Sequence, residues 1–251
     1  MERFVTQGIV LGTVDYGEAD RVVTLFTRDR GKVSAFAAGA RKSKRRFAGA
    51  LEPLTLLTVD LVERNGATFR LDQARIDRPF LPIRGDLARI ARALYAVELS
   101  RELVREQEPN EALFSLLLGY LELLEAGAAG PTSLLAFELT ALSLAGFRPR
   151  FEDCSLCGGP LTRSAGADRE EVRFDPEHGG AVCAACVGRS PAGRRVAPEV
   201  IEGLGRIQAG ARVPLPKEIR ARARELLNLF IAHQLGRTLN GVAFMEQVGV
   251  D

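Results

Sequence analysis

The sequence contains few of the residues that enzymes most often use for catalysis. Among 251 residues there are only two histidines, and we find neither a paired-carboxylate motif nor a glycine-rich loop that would hold phosphates. Three acids do lie close together in the segment DYGEAD, residues 15–20. A turn that pairs with neighbouring cations accounts for them better than a nuclease metal site does. We therefore expect a protein that is not an enzyme.

Long apolar runs are also absent from the sequence. No uninterrupted apolar stretch reaches the roughly 18 residues that a membrane helix needs. The first residues, MERFVTQG, do not lead from a basic start into a long apolar core, as a secretory signal peptide would. We expect a cytoplasmic protein with no membrane partner.

The net charge is small, but the charges are unevenly distributed. The chain carries +2 overall, and its contents of 46% hydrophobic and 26% charged residues are typical of a globular protein. Residues 1–82 hold 14 Lys and Arg against 10 Asp and Glu, whereas residues 83–251 hold 20 against 22. A weakly basic first part and a weakly acidic second part indicate a division of roles.

Most of the excess positive charge lies in one short run, RKSKRR. Five of its six residues are cations, namely Arg41, Lys42, Lys44, Arg45 and Arg46. Two such charges 4 Å apart repel each other by about 1 kcal/mol in water, and a polyanion removes that repulsion. Nucleic acid is the commonest such partner. The alternative is a solvated loop that is basic only for solubility.

The region around this run has the pattern of a small β-barrel. Short strands with β-branched and aromatic residues are predicted over residues 8–14, 22–27, 32–37, 54–62 and 68–74. Asn65-Gly66 is a strong hairpin signal between the last two strands. Five antiparallel strands in about 75 residues fit the OB-fold, and an SH3-like barrel is the alternative. The basic run then lies on the connection between the third and fourth strands.

OB-folds bind single strands through a basic groove and aromatic side chains on which bases stack. We predict that the five cations of the run contact phosphates, and that Arg21 and Lys32 extend the track on neighbouring strands. Phe47 follows the run directly and is the best candidate for stacking on a base. The remaining aromatic residues of this region are expected mostly in the core: Tyr16, Phe26, Phe36 and Phe69.

After the β region the period of the apolar residues becomes helical. Pro79 and Pro82 end the β pattern and predict a linker, and helical spacing begins at Arg84. Further helices are predicted over residues 113–124, 134–144, 198–208 and 216–235, with Pro131 in the first turn of the third helix and a short closing element over 237–248. Several of these segments are apolar on nearly every side, which predicts a helical bundle.

Four cysteines interrupt the helical pattern as two Cys-x-x-Cys pairs separated by 25 residues. They are Cys154, Cys157, Cys183 and Cys186. This spacing predicts one tetrahedral four-sulfur site that holds a structural zinc ion, and four sulfurs leave no open position for catalysis. The alternatives are two reducible pairs or a site that has lost its metal. His178 would be a surplus ligand and is expected at the surface. The surrounding segment is too small to build a core alone and should fold on the metal.

At this point the chain resembles a known family. Residues 8–54 look like the N-terminal domain of the bacterial RecO recombination-mediator proteins, the cysteine quartet looks like the zinc finger of that family, and HQLGRTLNGVAFMEQV looks like its C-terminal tail. The resemblance implies an α+β multidomain protein with an N-terminal five-stranded OB-fold barrel and a C-terminal helical bundle with an inserted four-cysteine zinc finger. We expect the OB-fold at residues 1–80, the helical domain at 81–148 and 196–251, and the finger at 149–195.

The resemblance also implies a function and partners. Members of the family bind single- and double-stranded DNA, anneal complementary strands and help to load recombinase onto DNA coated by single-strand-binding protein. The implied partners are RecR and the acidic tail of the single-strand-binding protein, and the implied location is the nucleoid. The alternative function is a non-catalytic adaptor of a repair complex that contacts DNA only incidentally.

Overall fold

The chain folds into two compact units, Met1–Ala128 and Ala129–Asp251. The structure, a computed structural model, describes residues 2–43, 46–47, 49–64, 68–161 and 172–250. Among these described residues, the first unit contains a β-barrel and three α-helices, and the second contains four α-helices, one 3₁₀ helix and a small sheet. The finer division at residues 80, 148 and 195 remains a prediction.

The first unit is built on a closed five-stranded barrel. Its strands are β1 (Arg3–Tyr16), β2 (Asp20–Thr27), β3 (Gly31–Ala37), β4 (Leu56–Arg64) and β5 (Thr68–Arg78). The strand order is β1-β2-β3-β5-β4, with β1 also paired to β4, and β3 pairs with β5 in parallel while all other pairs are antiparallel. The predicted OB-fold is thereby confirmed. The Asn65-Gly66 turn lies outside the described residues.

The alternation between core and surface that is typical of a strand is clearest in β3. In β3 the side chains of Val33, Ala35 and Ala37 are buried, and those between them point outward. The small alanines leave room for larger side chains from the facing strands. Full burial of a Leu, Val or Phe side chain stabilises the fold by about 1.5–3 kcal/mol. The larger members of this core are Val10, Val23, Leu25, Phe47, Leu51, Leu57, Leu61, Phe69 and Leu71.

Three helices follow the barrel within the first unit: α1 (Leu81–Arg84), α2 (Leu87–Leu103) and α3 (Glu111–Glu125). Asp86 caps α2 by accepting hydrogen bonds from the backbone N–H groups of Ala88 and Arg89, and Asn110 caps α3 in the same way. The sequence predicted a linker at Pro79 and Pro82. Instead β5 continues to Arg78, and Pro82 lies in the first turn of α1, where its missing N–H is tolerated.

The segment after α2 pairs with the outer edge of β3. The backbone N–H of Lys32 donates to the carbonyl of Arg105 at 3.3 Å, and the N–H of Gln107 donates to the carbonyl of Lys32 at 2.9 Å. On the adjacent strand the Phe26 ring packs edge-to-face on Phe114 of α3, with ring centroids 5.5 Å apart. This end of the barrel is therefore covered by the helical part of its own unit.

The second unit combines helices with a three-stranded sheet. The helices are α4 (Ser133–Leu144), α5 (Pro198–Gln208), α6 (Lys217–Leu235) and α7 (Asn240–Val248). The sheet has the order β7-β6-β8 and consists of β6 (Val172–Asp175), β7 (Gly180–Val182) and β8 (Arg194–Val196). The predicted helices are present with small shifts at their ends, and Pro131 precedes α4 instead of lying in its first turn. None of the helices among the described residues is both long and apolar enough to cross a membrane.

A buried ion pair joins two helices of the second unit. The guanidinium of Arg224 on α6 donates to the carboxylate of Glu138 on α4 at 2.5 Å, and the exposed fractions of the two residues are 7% and 0%. Buried charges of this kind are tolerated only when they are paired, and removing one partner destabilises a protein by about 3–5 kcal/mol. Glu138 lies in a helix whose pattern otherwise predicts only apolar burial.

Gly31 provides a test of how the first unit is held together. Its φ is +65°, and an added Cβ would overlap the backbone carbonyl of Glu108. We expect Gly31→Ala to lower the free energy of unfolding by about 3 kcal/mol or more, because it adds backbone displacement to the left-handed strain of about 1–2 kcal/mol. Gly17→Ala is the matched control, because Gly17 has a φ of +60° and open space around it. Urea unfolding that shows equal losses for both variants would contradict the packing described here.

Candidate functional site

The four cysteines come together at one point of the second unit. Their sulfur atoms all lie within 4.8 Å of one another, and those of Cys157 and Cys183 are 3.8 Å apart. A tetrahedral ion with bonds of about 2.3 Å to sulfur needs sulfur–sulfur distances of about 3.8 Å. Cys154, Cys183 and Cys186 are buried, whereas Cys157 is exposed. The donor set and its spacing therefore fit a zinc site.

Local backbone geometry positions each pair of sulfurs. In the first pair, the N–H of Gly158 donates to the carbonyl of Cys154 at 2.8 Å, and Gly158 has a φ of +69°, which favours glycine. In the second pair, Cys183 follows β7 directly and Cys186 lies on a 3₁₀ helix, Ala184–Arg189. The two halves meet because the N–H of Ser155 donates to the carbonyl of Ala181 on β7 at 2.8 Å.

The thiols differ strongly in their readiness to ionise. Burial raises the pKa of Cys154, but hydrogen bonds from the backbone N–H groups of Cys183, Cys157 and Leu156 outweigh it and bring the pKa to about 6. A hydrogen bond with the Cys157 thiol, followed by burial, raises the pKa of Cys186 to about 12. One thiolate thus forms readily and opposes ionisation of its neighbours. A divalent cation would relieve that repulsion, because it binds thiolates and not thiols.

An aromatic stack ties the cysteine region to the rest of the second unit. Phe174 on β6 is fully buried, and its ring lies 5.8 Å from Phe151 and 5.9 Å from Phe230 on α6, measured between centroids. The sequence predicted an inserted finger with no core of its own. In the structure this region contains a small sheet, and Phe174 packs that sheet against α6 of the bundle.

Asp175, at the end of β6, is a buried carboxylate with several hydrogen-bond partners, and the sequence did not predict it. Its carboxylate accepts hydrogen bonds from the hydroxyl of Ser190 at 2.5 Å and from the backbone N–H of Glu177 at 3.0 Å, and it lies 2.8 Å from Nδ1 of His178. Burial opposes ionisation, but these partners outweigh it and hold the pKa of Asp175 below its ordinary value. His178 is therefore a partner of Asp175, and its side chain is partly exposed at the surface of the second unit.

The basic run lies on the connection that leaves β3. Arg41, Lys42 and Arg46 are exposed, and Lys44 and Arg45 lie outside the described residues. Arg46 is held in place because its guanidinium donates to the carbonyl of Ala38 at 2.6 Å and lies 5.0 Å above the ring of Phe47. The connection is anchored at its start by the carboxylate of Asp20, which accepts a hydrogen bond from the N–H of Gly39 at 2.7 Å.

Two of the predicted cations share one acid. Arg21 lies 3.0 Å from Asp15 and 3.2 Å from Glu52, and Arg41 lies 3.6 Å from the other oxygen of Asp15. The side chains of Asp15 and Glu52 are about half exposed, so each pair contributes only about 0–1 kcal/mol. Such pairs can exchange for contacts with another anion at little cost.

Two predicted contact residues are placed differently from the others. The prediction that Phe47 stacks on a base is wrong, because its ring is only 2% exposed and belongs to the barrel core. The chain turns inward directly after the basic run and uses Phe47, Ala50 and Leu51 to fill the barrel. Lys32 is 18% exposed, and its ammonium donates to the carbonyl of Arg101 at 3.0 Å and pairs with Glu106.

A closed OB barrel with a basic connection, followed in the chain by a mainly helical unit whose four clustered cysteines could hold a metal ion, defines a multidomain α+β protein. Comparison with known families identifies it further. Residues 1–80 match the family described as recombination protein O N terminal, and residues 84–242 match recombination protein O C terminal. The chain belongs to the RecO family.

Full-length relatives agree with this assignment. The chain is 59% identical to the DNA repair protein RecO of Myxococcus xanthus, with 100% of both chains covered. It is 48% identical to the protein of the same name from Anaeromyxobacter sp. (strain K), covering 99% of this chain and 98% of the relative. The protein of that name from Geobacter sulfurreducens is 38% identical, with coverage of 96% and 97%.

The lowered pKa of Asp175 predicts a specific dependence of stability on pH. Because the folded pKa lies below the ordinary value of 3.8, the stabilisation is fully present above pH 3.8 and is lost as the pH falls through the folded value. We expect Asp175→Asn to lower the free energy of unfolding by about 1–3 kcal/mol at pH 7, and the difference from the parent protein to shrink below pH 3.8.

Urea unfolding at a series of pH values measures this difference. Acid release of a bound metal affects the variant and the parent protein alike and therefore does not enter the comparison. Glu177→Gln, at the exposed neighbouring position, is the control and should leave the free energy of unfolding nearly unchanged at pH 7. A constant difference between Asp175→Asn and the parent protein down to pH 2.5 would contradict the assignment.

Proposed function

We propose that this protein is a mediator of DNA repair and homologous recombination that binds single- and double-stranded DNA, anneals complementary strands and helps to load recombinase onto DNA coated by single-strand-binding protein. The observation that carries the proposal is the exposure of Arg41, Lys42 and Arg46 on the β3–β4 connection of an OB barrel. Membership of the RecO family, with relatives named DNA repair proteins, supports the same function.

The proposed contacts are to the sugar-phosphate chain and not to base edges. Guanidinium and ammonium groups bind phosphates without regard to sequence, and they release counterions from the nucleic acid as they do so. Annealing requires two strands whose backbone charges are neutralised while their base edges stay free to pair. Arg41, Lys42 and Arg46, with Lys44 and Arg45, supply five such charges, and Arg21 adds a sixth by exchanging its acid partners for phosphate.

The proposal assigns no covalent chemistry to the protein. RecR and the acidic tail of the single-strand-binding protein are the proposed protein partners, and the nucleoid in the cytoplasm is the proposed location. These assignments rest on the family, and we attach them to no particular surface of either unit. Lys32 is omitted from the proposed DNA contact, because its ammonium is engaged with the first unit's own helical segment.

We further infer that the four cysteines hold one structural zinc ion. Cys154, Cys157, Cys183 and Cys186 supply four sulfurs within 4.8 Å of one another, one pair of them 3.8 Å apart, which fits a tetrahedral ion with no position for a substrate. When bound, zinc supplies a crosslink between the segment that precedes β6 and the segment that follows β7. The aromatic stack through Phe174 stabilises the same region independently of the metal.

The basic run predicts a definite salt dependence of DNA binding. Five contacts to single-stranded phosphates give a slope of log affinity against log salt of about −3.5, from about 0.7 per contact. We expect replacement of all five cations by glutamine to remove most of this slope, as measured by titration of a labelled oligonucleotide at several salt concentrations. Arg105→Gln is the control, because Arg105 is highly exposed but lies outside the run. An unchanged slope in the five-cation variant would place the phosphate contacts elsewhere.

The metal site predicts a local effect of chelation. We expect about one zinc per chain, and we expect a strong chelator to open residues 150–194 to proteases while the barrel stays protected. Cys154→Ser should have the same effect without chelator, because three thiols bind the metal less tightly. Ser155→Ala, at the adjacent position, is the control and should retain its metal. Unchanged proteolysis of residues 150–194 after removal of the metal would refute the structural role.

A further inference from the structure

The outer face of strands β2 and β3 divides into a covered end and an open end. Register pairs across the two strands are Phe26 with Lys32, Thr24 with Ser34, and Val22 with Phe36. The first pair is covered by the first unit's own helical part, because Phe26 packs on Phe114 and Lys32 donates to the carbonyl of Arg101. This face, with the loop between β1 and β2, is the one with which OB-folds bind oligonucleotides. Only its far end remains available.

The open end carries a pair of aromatic rings. Tyr16, the last residue of β1, is 62% exposed, and its ring packs edge-to-face on Phe36 with centroids 5.7 Å apart. Val14, on the same face of β1, is 68% exposed and pairs with Val22. An exposed tyrosine that is fixed by a second ring loses little conformational freedom when a flat partner stacks on it. Isolated exposed apolar residues need no explanation, but this group is contiguous.

The basic run lies directly beside these rings. The backbone N–H of Arg41 donates to the carbonyl of Ala19 at 2.9 Å, and its guanidinium lies 3.4 Å from the carbonyl of Gly17. The run is therefore tied to the turn that begins one residue after Tyr16. Acids also lie at this turn: Asp15 pairs with Arg21 and Arg41, Asp20 is the cross-strand partner of Tyr16 and accepts a hydrogen bond from the N–H of Gly39, and Glu18 is exposed. Cations for phosphates and a ring for a base are thus found within one short turn of each other.

We propose that Tyr16, supported by Phe36, is the platform on which an unpaired base of single-stranded nucleic acid stacks. The proposal rests on the DNA binding proposed above and assigns to Tyr16 the role that the sequence suggested for Phe47. The phosphates next to the stacked base reach Arg41 and Lys42, whose charge complements them. Stacking on one aromatic side chain strengthens binding by about 5- to 100-fold and tolerates any base, because every base has a π face.

Affinity measurements separate stacking from charge. We expect Tyr16→Ala to weaken binding of an oligothymidylate by about 5- to 100-fold with the slope against log salt unchanged. Tyr16→Phe should retain most of the affinity, because it keeps the ring. An abasic oligonucleotide of the same length, which has phosphates but no bases, should bind the parent protein and Tyr16→Ala equally. Equal loss with both oligonucleotides, or no loss with either, would overturn the platform.

Fluorescence supplies a readout that does not depend on affinity. The chain contains no tryptophan, so Tyr16→Trp places a single indole at the proposed platform. We expect oligothymidylate to quench its emission and the abasic oligonucleotide to leave it nearly unchanged. Leu87→Trp is the matched control, because Leu87 is 56% exposed but lies in the first turn of α2 and not on the β2–β3 face. Quenching at both positions, or at neither, would overturn the platform.

The remaining outcomes distinguish this proposal from the function on which it rests. If the parent protein binds oligothymidylate with the salt dependence proposed above and Tyr16→Ala binds it equally well, the platform fails and the proposed function stands. If the parent protein binds neither oligonucleotide in dilute buffer, both fail. If a protein partner, and not the oligonucleotide, changes the emission of Tyr16→Trp, the rings are a protein-docking surface and the platform fails.

Discussion

The two edges of strand β3 determine the arrangement of the first unit. One edge pairs with β2 over the full length of the strand, while the other pairs with β5 only at Ala35 and Phe36. The remaining part of that second edge, at Lys32, is covered by backbone hydrogen bonds with Arg105 and Gln107. An unpaired edge would expose N–H and C=O groups to other chains. The same strand thus closes the barrel at one end and holds the helical segment at the other.

This division of β3 also determines which groups can meet a ligand. At the end that holds the helical segment, Phe26 packs on Phe114 and Lys32 donates to the carbonyl of Arg101. These contacts make the ring and the cation unavailable to a ligand on the outer face. The end that closes the barrel leads directly into the basic connection. The aromatic pair and Arg41 therefore lie close together at this end, although nothing in their sequence separation requires it.

Much of the architecture could be predicted from short-range patterns. Alternating apolar residues and turn signals located all five barrel strands, and the spacing of the cysteines located the four-sulfur cluster, because both patterns depend on local chain geometry. Partners distant in the sequence could not be predicted in this way. Glu138 can be buried in an apolar helix because it forms an ion pair with Arg224. Arg224 is 86 residues away in the sequence, so no local pattern around Glu138 could predict the pair. Phe47 was misplaced because a chain that re-enters the barrel resembles an exposed loop in sequence.

The charges near the open end illustrate a related limit. Counting cations identified the basic run, but it did not reveal that Asp15 lies between Arg21 and Arg41. Half-exposed pairs of this kind gain little from each other, because water screens their attraction. They hold the cations in position without binding them firmly, so in the proposed function a phosphate chain replaces the acid. Pre-positioned cations lose less side-chain entropy on binding than free ones do.

The composition of the open end sets the kind of recognition that it can perform. Reading a base sequence requires rigid donors and acceptors that match base edges, such as bidentate arginine or asparagine contacts. The described groups here are cations on a connection, two rings, two valines and an acid paired with the cations, and we expect none of them to read the base sequence. Arg46 is held in place by a carbonyl and a ring. Such a surface favours binding that tolerates any sequence and weakens with salt, and it leaves base edges free to find their complement.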